Sequence, residues 1–204
     1  MHSQAHDVSA PSLLEALRTG TGLLHVALEK RLPFFSDELD AGWYRRLLQA
    51  YYGFYAPMEA ALYDSGLIPD GYDSVLRVKT PTLLGDLRAL GLNDYAINAL
   101  PRCTQHPNFD TPAACLGALY VLEGATLGGQ VLRREMARRL GIHADNGAAF
   151  LDVYGADTGR RWKDFLDYLG RLPLDADAKQ RAVDAARSTF SGFELWLASQ
   201  EVLL

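Results

Sequence analysis

The segment from residue 111 to residue 140 constrains the fold most, because it combines a long helical pattern with four internal glycines. It consists of TPAACLGALYVLEGATLGGQVLRREMARRL. Apolar residues recur every three or four positions, which predicts an α-helix. Thr111 followed by Pro112 is typical of a helix start, with a capping side chain before a proline at the first helical position. Gly141 follows the last apolar residue and predicts the helix end.

The glycines of this helix stand at positions 117, 124, 128 and 129. Each costs about 0.8–1 kcal/mol relative to alanine in a helix interior. Gly117, Gly124 and Gly128 share one face at about 3.6 residues per turn, and Gly129 lies beside them. Three interpretations account for such a stripe: another helix packs closely against it, a flat ligand lies across it, or the helix bends there. The residues alone favour helix packing and leave the other two interpretations open.

The rest of the chain also shows helical spacing, interrupted by loops rich in proline, glycine or aspartate. The pattern predicts a first helix from Pro11 to near Pro33, with Ser12 as its cap. Thr80 and Asp175 are the predicted caps of two later helices. The further helices are predicted at about 37–64 with a kink at Pro57, 81–91, 93–100, 159–171 and 176–200. Because no segment alternates with period two for long, we expect an all-α fold.

The composition excludes several classes of protein. The chain has 204 residues, 49% of them hydrophobic and 22% charged, which is typical of a globular domain. The net charge of −5 disfavours nucleic acid as a partner, because that requires a basic surface. We see no uninterrupted apolar membrane span and no signal peptide, and two cysteines suit a reducing compartment. We expect a cytoplasmic protein that binds neither nucleic acid nor membrane, with a single domain at 11–204 and a disordered tail at 1–10.

His25 is the one histidine of five that falls inside a predicted helix. One turn away on the same face are the small residues Thr21 and Gly22 and the carboxylate of Glu29. This pattern suits a single proximal histidine on haem iron, with Glu29 bonded to the free ring nitrogen. Arg18 on the same face could pair with the haem propionates. A solvent-exposed or core histidine is more common, and the residues alone leave both explanations open.

His25 together with the motif E-G-A-T-L-G-G-Q at positions 123–130 resembles the haem oxygenase family. The resemblance extends from about Ser12 to Ala198. It is closest to bacterial biliverdin-producing members, which are often associated with bacteriophytochromes and carry E-G-x-x-L-G on their distal helix. The resemblance implies a single-domain helical bundle that holds haem between the first helix and a glycine-kinked distal helix.

The resemblance also implies roles for individual residues. His25 matches the proximal iron ligand, and Glu29 matches the acid that engages its free nitrogen. The residues matched to the distal face of the haem are Gly124, Gly128 and Gly129. The residues matched to the propionates and to the border of the pocket are Arg18, Tyr120, Lys163, Phe190 and Phe193.

The activity implied by the resemblance is the oxidative cleavage of haem to biliverdin, carbon monoxide and ferrous iron. Haem is then both substrate and cofactor, and oxygen and external electrons are consumed. The chain carries no nucleotide-binding fingerprint, so we expect a redox partner such as a ferredoxin or a flavin reductase, and a bacteriophytochrome as a possible recipient of biliverdin. The candidate docking residues are Arg133, Arg134, Arg138, Arg139, Arg160 and Arg161, although solvated helix faces explain such clusters more often.

One position departs from the family pattern. Many members have an aspartate directly after the first distal glycine, where it organises the water network that delivers protons, and this chain has Ala125. Backbone groups and ordered water could serve instead of the acid. Thr126 is a poor substitute for the acid, because its side chain need not face the haem. Ala125 also favours the main alternative, a haem-binding or transfer protein without catalytic activity. A helical protein that binds no haem is the third possibility.

Overall fold

The computed structural model describes residues 11–204, and all regular secondary structure within that range is helical. The all-α prediction is confirmed, whereas the predicted tail at 1–10 lies outside the described residues. The α-helices of the described range are α1 (Leu13–Arg31), α2 (Ala41–Asp64), α3 (Ser74–Arg77), α4 (Thr80–Ala89), α5 (Asp94–Asn98), α6 (Pro112–Leu140), α7 (Thr158–Arg171) and α8 (Ala176–Ser199). Short 3-10 turns lie at Pro33–Phe35, Phe150–Asp152 and Gly155–Asp157.

Side-chain caps fix most of the helix ends at the predicted positions. The Ser12 hydroxyl accepts from the Glu15 amide, and the Glu15 carboxylate accepts from the Ser12 amide, so that α1 begins with a reciprocal cap. Thr111 and Asp175 cap α6 and α8 by accepting from backbone N–H groups of the first turn. Gly141 ends α6 with φ at 65°, a left-handed conformation that glycine adopts without steric cost.

The prediction of a side-chain cap at Thr80 is wrong. Helix α4 begins at Thr80, and the residue before it, Lys79, makes no capping bond with its side chain. The Thr80 hydroxyl instead donates to the carboxylate of Glu59 on α2, at 2.6 Å. Glu59 also accepts from the backbone N–H groups of Lys79 and Thr80. A buried carboxylate from another helix therefore caps α4, and sequence spacing does not show such a partner.

Two further differences concern short or interrupted segments. The second helix starts at Ala41, after an Asp40 cap, and it continues through Pro57 without a break. Helix α3 was not predicted because its four residues are too few to show apolar periodicity, and it begins where Asp73 caps Leu76.

The core lies where α6 and α1 both pack against α8. The contact of α1 with α8 is close: an added Cβ at Gly20 would lie 2.5 Å from Cγ1 of Val183. Helix α6 is long and apolar enough to cross a membrane, with a mean hydropathy of 1.3 over its most apolar window, but half of that window is buried inside the bundle. The central helix of a water-exposed bundle has the same properties. The packing places the side of α6 that α8 does not cover opposite α1.

Candidate functional site

A cavity of about 740 Å³ opens between α1 and α6. Its remaining walls come from α2, α7, α8, the 3-10 turns at Pro33–Phe35 and Phe150–Asp152, and Lys79 before α4. The volume falls in the range of roughly 300–1,000 Å³ that small-molecule and cofactor sites occupy. Most of the described residues that line it are apolar or aromatic. The cavity therefore suits a large and mainly apolar ligand.

Helix α1 contributes His25 to this cavity. The His25 side chain is 54% exposed, and its Nε2 atom lies 3.5 Å from Oε1 of Glu29. The edge of the ring contacts Phe190 of α8, with ring centroids 5.9 Å apart and planes at 83°. An added Cβ at Gly22, one turn earlier, would meet no atom within 4 Å. The imidazole is thus supported on one side and accessible from the cavity, as a metal ligand must be.

Two of the α6 glycines allow close packing of the backbone. An added Cβ at Gly117 would collide with the carbonyl of Ala182 in α8. At Gly129 it would lie 2.5 Å from the carbonyl oxygen of Leu151, in the turn that closes the cavity. Helix packing is therefore the correct interpretation for Gly117, and Gly129 combines packing against Leu151 with a place in the cavity lining.

The other two glycines face open space. Gly124 and Gly128 line the cavity. An added Cβ at Gly128 would meet nothing within 4 Å, and one at Gly124 would make an ordinary contact with the ring of Trp162 at 3.6 Å. The absence of side chains here leaves room directly over the helix backbone, on the side of the cavity that α1 faces.

Arg18 and Tyr120 both line the cavity, and Arg18 is near enough to lower the pKa of Tyr120 in part, although burial raises that pKa overall. The Tyr120 ring lies 5.8 Å from that of Trp162 on α7. Lys163, which was also predicted to contact the propionates, is exposed and does not line the cavity. Because successive residues of a helix point about 100° apart, the cavity position belongs to Trp162 instead.

Phe193 belongs to an aromatic wall deep in the cavity. Its ring centroid lies 4.8 Å from that of Phe54 and 5.0 Å from that of Tyr51. Phe150 extends the wall, 5.8 Å from Tyr51 and 5.1 Å from Tyr55. All five rings line the cavity. Such interlocked rings make a rigid apolar surface and exclude water.

Comparison with known proteins bears on what the cavity holds. The sequence model described as "Heme oxygenase" matches residues 11–199. The chain belongs to the haem oxygenase family. A relative named heme oxygenase, from Xanthomonas campestris pv. campestris, is 30% identical over 162 residues, which are 79% of this chain and 93% of the relative. The family suggested by His25 and the glycine motif is thereby confirmed.

Solved haem oxygenases share the fold. The heme oxygenase of Leptospira interrogans superposes with a TM-score of 0.77 at 23% identity, covering 93% of this chain and 100% of that one. Heme oxygenase-1 of the cyanobacterium Synechocystis, solved in complex with heme, gives 0.76 at 20% identity and covers 94% of this chain and 93% of that one. The helical bundle described above is therefore the haem oxygenase fold.

The haem oxygenase family motif in this chain contains a buried acid for which the sequence predicted no role. Glu123 is 1% exposed and accepts from Nζ of Lys79 at 2.6 Å. It also pairs with Arg77 and accepts from the hydroxyls of Tyr72 and Tyr154 at 3.3 Å and 3.0 Å. Glu123 thus binds two cations and two phenols. The motif position was the available signal, but its partners come from distant parts of the chain.

The charges of this cluster balance. Burial and the Glu123 carboxylate raise the pKa of both Tyr72 and Tyr154, so their hydroxyls stay protonated and donate. Glu59 completes the cluster, since it accepts from the Lys79 backbone. The cluster therefore contains two carboxylates and two cations, and of the two carboxylates it is Glu123 that pairs with Arg77 and Lys79. We call these four charged residues with Tyr72 and Tyr154 the Glu123 cluster.

The arginines considered for partner docking are largely paired within the protein. Arg138 bonds to Glu135, and Arg160 bonds to Asp157. Arg139 donates to the carbonyls of Phe34 and Ser36. These pairings reduce the net positive charge that the helix surfaces offer to an acidic partner. Among residues 11–204, no group of three or more histidine, cysteine or acidic side chains is placed to hold a metal ion.

Proposed function

We propose that this chain is a haem oxygenase that opens haem to biliverdin, carbon monoxide and ferrous iron. The observation that carries the proposal is the cavity between His25 and the open glycines Gly124 and Gly128. A planar ring fits there with an imidazole on one face and bare helix backbone on the other. Membership of the family supports the same reaction.

The residues of the cavity fit haem in chemistry as well as in size. Apolar and aromatic side chains suit the porphyrin ring, and the accessible imidazole of His25 suits its iron. Exposed cations suit the two propionates: Arg18 lies seven residues before His25, and Lys30 lies five residues after it. When bound, haem supplies the iron that activates oxygen and is itself the substrate.

Each wall then has a distinct task. His25 would hold the iron through one ring nitrogen, and Glu29, 3.5 Å from Nε2, is close enough to bond to the other nitrogen and orient the ring. Gly124 and Gly128 allow the porphyrin ring of the haem to lie close to the α6 backbone. The gap then left between haem and helix has little room for other ligands. The aromatic wall around Phe193 excludes bulk water from the reacting edge.

The propionate contacts determine which ring edge faces the aromatic wall. We propose that Arg18 and Tyr120 bind the propionates, because they lie together at one end of the cavity. Lys30 is the alternative cation, at the other end of the α1 wall. Lys163 could reach the propionates only from outside the lining. The isomer of biliverdin formed by the enzyme reports which cation binds them.

We also propose the cellular setting implied by the closest family resemblance. The electrons come from a ferredoxin or a flavin reductase, and Arg134, exposed on α6, is the arginine of choice for testing that contact. Biliverdin would serve a bacteriophytochrome. The protein would act in the cytoplasm, with α6 buried in the bundle rather than in a membrane.

The decisive experiment mixes the purified protein with hemin and then adds a reductant in air. We expect the Soret band to shift on binding and to disappear on reduction as bilin absorption rises. In His25→Ala we expect loss of the histidine-ligated spectrum and at least about a hundredfold slower haem loss, because the iron has lost its protein ligand. His143→Ala, in an exposed loop outside the cavity, is the matched control and should behave as wild type.

Two outcomes would overturn the proposal. A stable Soret band after reduction would identify a haem carrier, the alternative that Ala125 favours. Native spectra and native turnover in His25→Ala would remove His25 from the iron site.

A further inference from the structure

Lys79 is both buried and part of the cavity wall. Its side chain is 2% exposed, yet it lines the cavity beside Tyr55. Its Nζ atom donates to the Arg77 carbonyl at 2.9 Å and to the Glu123 carboxylate at 2.6 Å. An ammonium has three protons, so one remains without a carbonyl or carboxylate partner among the described residues. Nζ also lies 5.5 Å from the ring centre of Tyr154.

The threonine hydroxyls in the cavity wall already donate hydrogen bonds to backbone carbonyls. Thr126 donates to the Glu123 carbonyl at 2.7 Å, Thr21 to the Leu17 carbonyl at 2.7 Å, and Thr189 to the Ala185 carbonyl at 2.8 Å. Each of these bonds turns a hydroxyl back onto its own helix. Ala125 in the same wall carries no polar side chain. The polar side chains of the wall that remain as donors to water include Tyr51, Tyr55 and Lys79.

The Glu123 cluster holds the Lys79 ammonium in one position. Tyr72 and Tyr154 donate to the carboxylate that Lys79 also contacts. A buried ion pair contributes little net stability, because desolvation offsets its Coulomb energy. What such a pair supplies is a fixed positive charge at a fixed point, and here the residue that carries it is part of the cavity wall.

We propose that Lys79 is a positioning residue that does the work of the acid absent at position 125: its free N–H holds a water molecule beside the distal face of the haem. The inference rests on the proposed function. A water that accepts from an ammonium keeps both of its own protons for donation, and the positive charge makes it a stronger donor. Lys79 itself transfers no proton, and protons arrive from solvent through the held water.

The test compares two variants that each remove one cation from Glu123. Lys79→Met and Arg77→Met both leave the cluster with one excess negative charge, so the long-range electrostatics are matched. Only Lys79 lines the cavity. Lys79→Arg keeps a donor at the site. A fourth protein, Lys79→Met with Glu123→Gln, removes both members of the Lys79 ion pair, so that no Glu123 carboxylate is left short of a cation. Arg77 also pairs with Glu123 and loses that partner, so circular dichroism checks the folding of this variant.

The first measurement is the acid–alkaline transition in the visible spectrum of the ferric haem complex. A nearby ammonium stabilises the deprotonated form of the distal water ligand, so its loss raises the midpoint pH. We expect an increase of at least about one pH unit in Lys79→Met and in the double variant. We expect less than half that increase in Arg77→Met, and partial rescue in Lys79→Arg.

The second measurement is turnover at saturating hemin. We expect bilin formation to slow about tenfold or more in Lys79→Met and in the double variant, with the dissociation constant for hemin changed less than about threefold. Equal midpoint increases in Lys79→Met and Arg77→Met, or no increase in the double variant, would show that Lys79 is only a structural charge. The spectral test needs only bound haem. Failure of wild-type turnover would therefore overturn the proposed function without deciding the role of Lys79.

Discussion

The two halves of the glycine stripe on α6, which runs from Gly117 to Gly128, use the same residue type for different purposes. In the first half, Gly117 lies against the backbone of α8 with no space for a side chain. In the second half, Gly124 and Gly128 lie on the same helical face but border the cavity, and a Cβ at Gly128 would meet nothing within 4 Å. One half of the stripe is filled by protein and the other is left for a ligand. The glycine spacing alone does not distinguish these two uses.

The difference shows how a costly pattern is maintained in a helix. Each glycine costs about 0.8–1 kcal/mol of helix stability. At Gly117 the loss is offset within the fold by the close approach of α8. At Gly128 the folded protein by itself gains nothing comparable, because there is open space. Substitution of Gly117 should therefore mainly lower the stability of the protein, whereas a large side chain at Gly128 should mainly weaken haem binding.

The largest expected effect is on folding, in Gly117→Ala. The added methyl group would collide with the Ala182 carbonyl, and a backbone carbonyl cannot turn aside as a side chain can. We expect the free energy of unfolding to fall by about 3 kcal/mol, at the upper end of the usual cost of overpacking. Chemical denaturation followed by circular dichroism measures this change. Unchanged stability would mean that α6 and α8 can separate there, and the contrast between the halves would disappear.

A smaller effect, on binding, is expected in Gly128→Leu. The side chain would occupy the space over the α6 backbone where we place the haem. We expect the dissociation constant for hemin to increase at least about tenfold, equivalent to about 1.4 kcal/mol, with folding intact. Hemin titration followed at the Soret band measures the affinity, and thermal unfolding of the apoprotein is the control. Native affinity in Gly128→Leu would place the haem elsewhere.

The smallest effect compares adjacent positions in the second half. Gly128→Ala should raise the free energy of unfolding by about 0.8–1 kcal/mol, because the helix gains propensity and the methyl group meets no neighbour. Gly129→Ala should lower it by about 1 kcal/mol, because overpacking against the Leu151 carbonyl outweighs the same gain. Denaturation of the two apoproteins side by side measures both. Changes of the same sign would contradict the difference described for these two positions.

The regular helices could be predicted from the sequence because their signals are local. Ser12, Thr111, Asp175 and Gly141 act on neighbouring backbone groups, and their effects were predicted correctly. Thr80 failed as a cap because its partner, Glu59, is 21 residues away along the chain. Spacing rules describe a helix and its ends, and they do not describe which other helix supplies a hydrogen-bond partner.

The same limit applies to the cavity. His25 and the open glycines could be proposed from a helical face and a family motif, and both line the cavity. Lys79 could not, because a lysine before a Thr-Pro pair looks like a solvent-exposed residue until α2 and α6 surround it. Lys163 as a propionate ligand stays a prediction: it is exposed outside the lining, and its neighbour Trp162 lines the wall. A shift of one residue along a helix decides which side chain lines the cavity and which is exposed.

The burial of the Glu123 cluster also makes the two faces of the cavity respond differently to the surrounding electrolyte. Dissolved ions screen exposed charges over about 8–10 Å and reach buried pairs much less. Arg18 and Lys30 are exposed, so their attraction for carboxylates weakens as salt rises. Lys79 and Glu123 are buried, so their field at the cavity wall depends much less on ionic strength. High salt should weaken the binding of the ligand's carboxylates by Arg18 and Lys30 and leave the field of Lys79 and Glu123 at the cavity wall nearly unchanged.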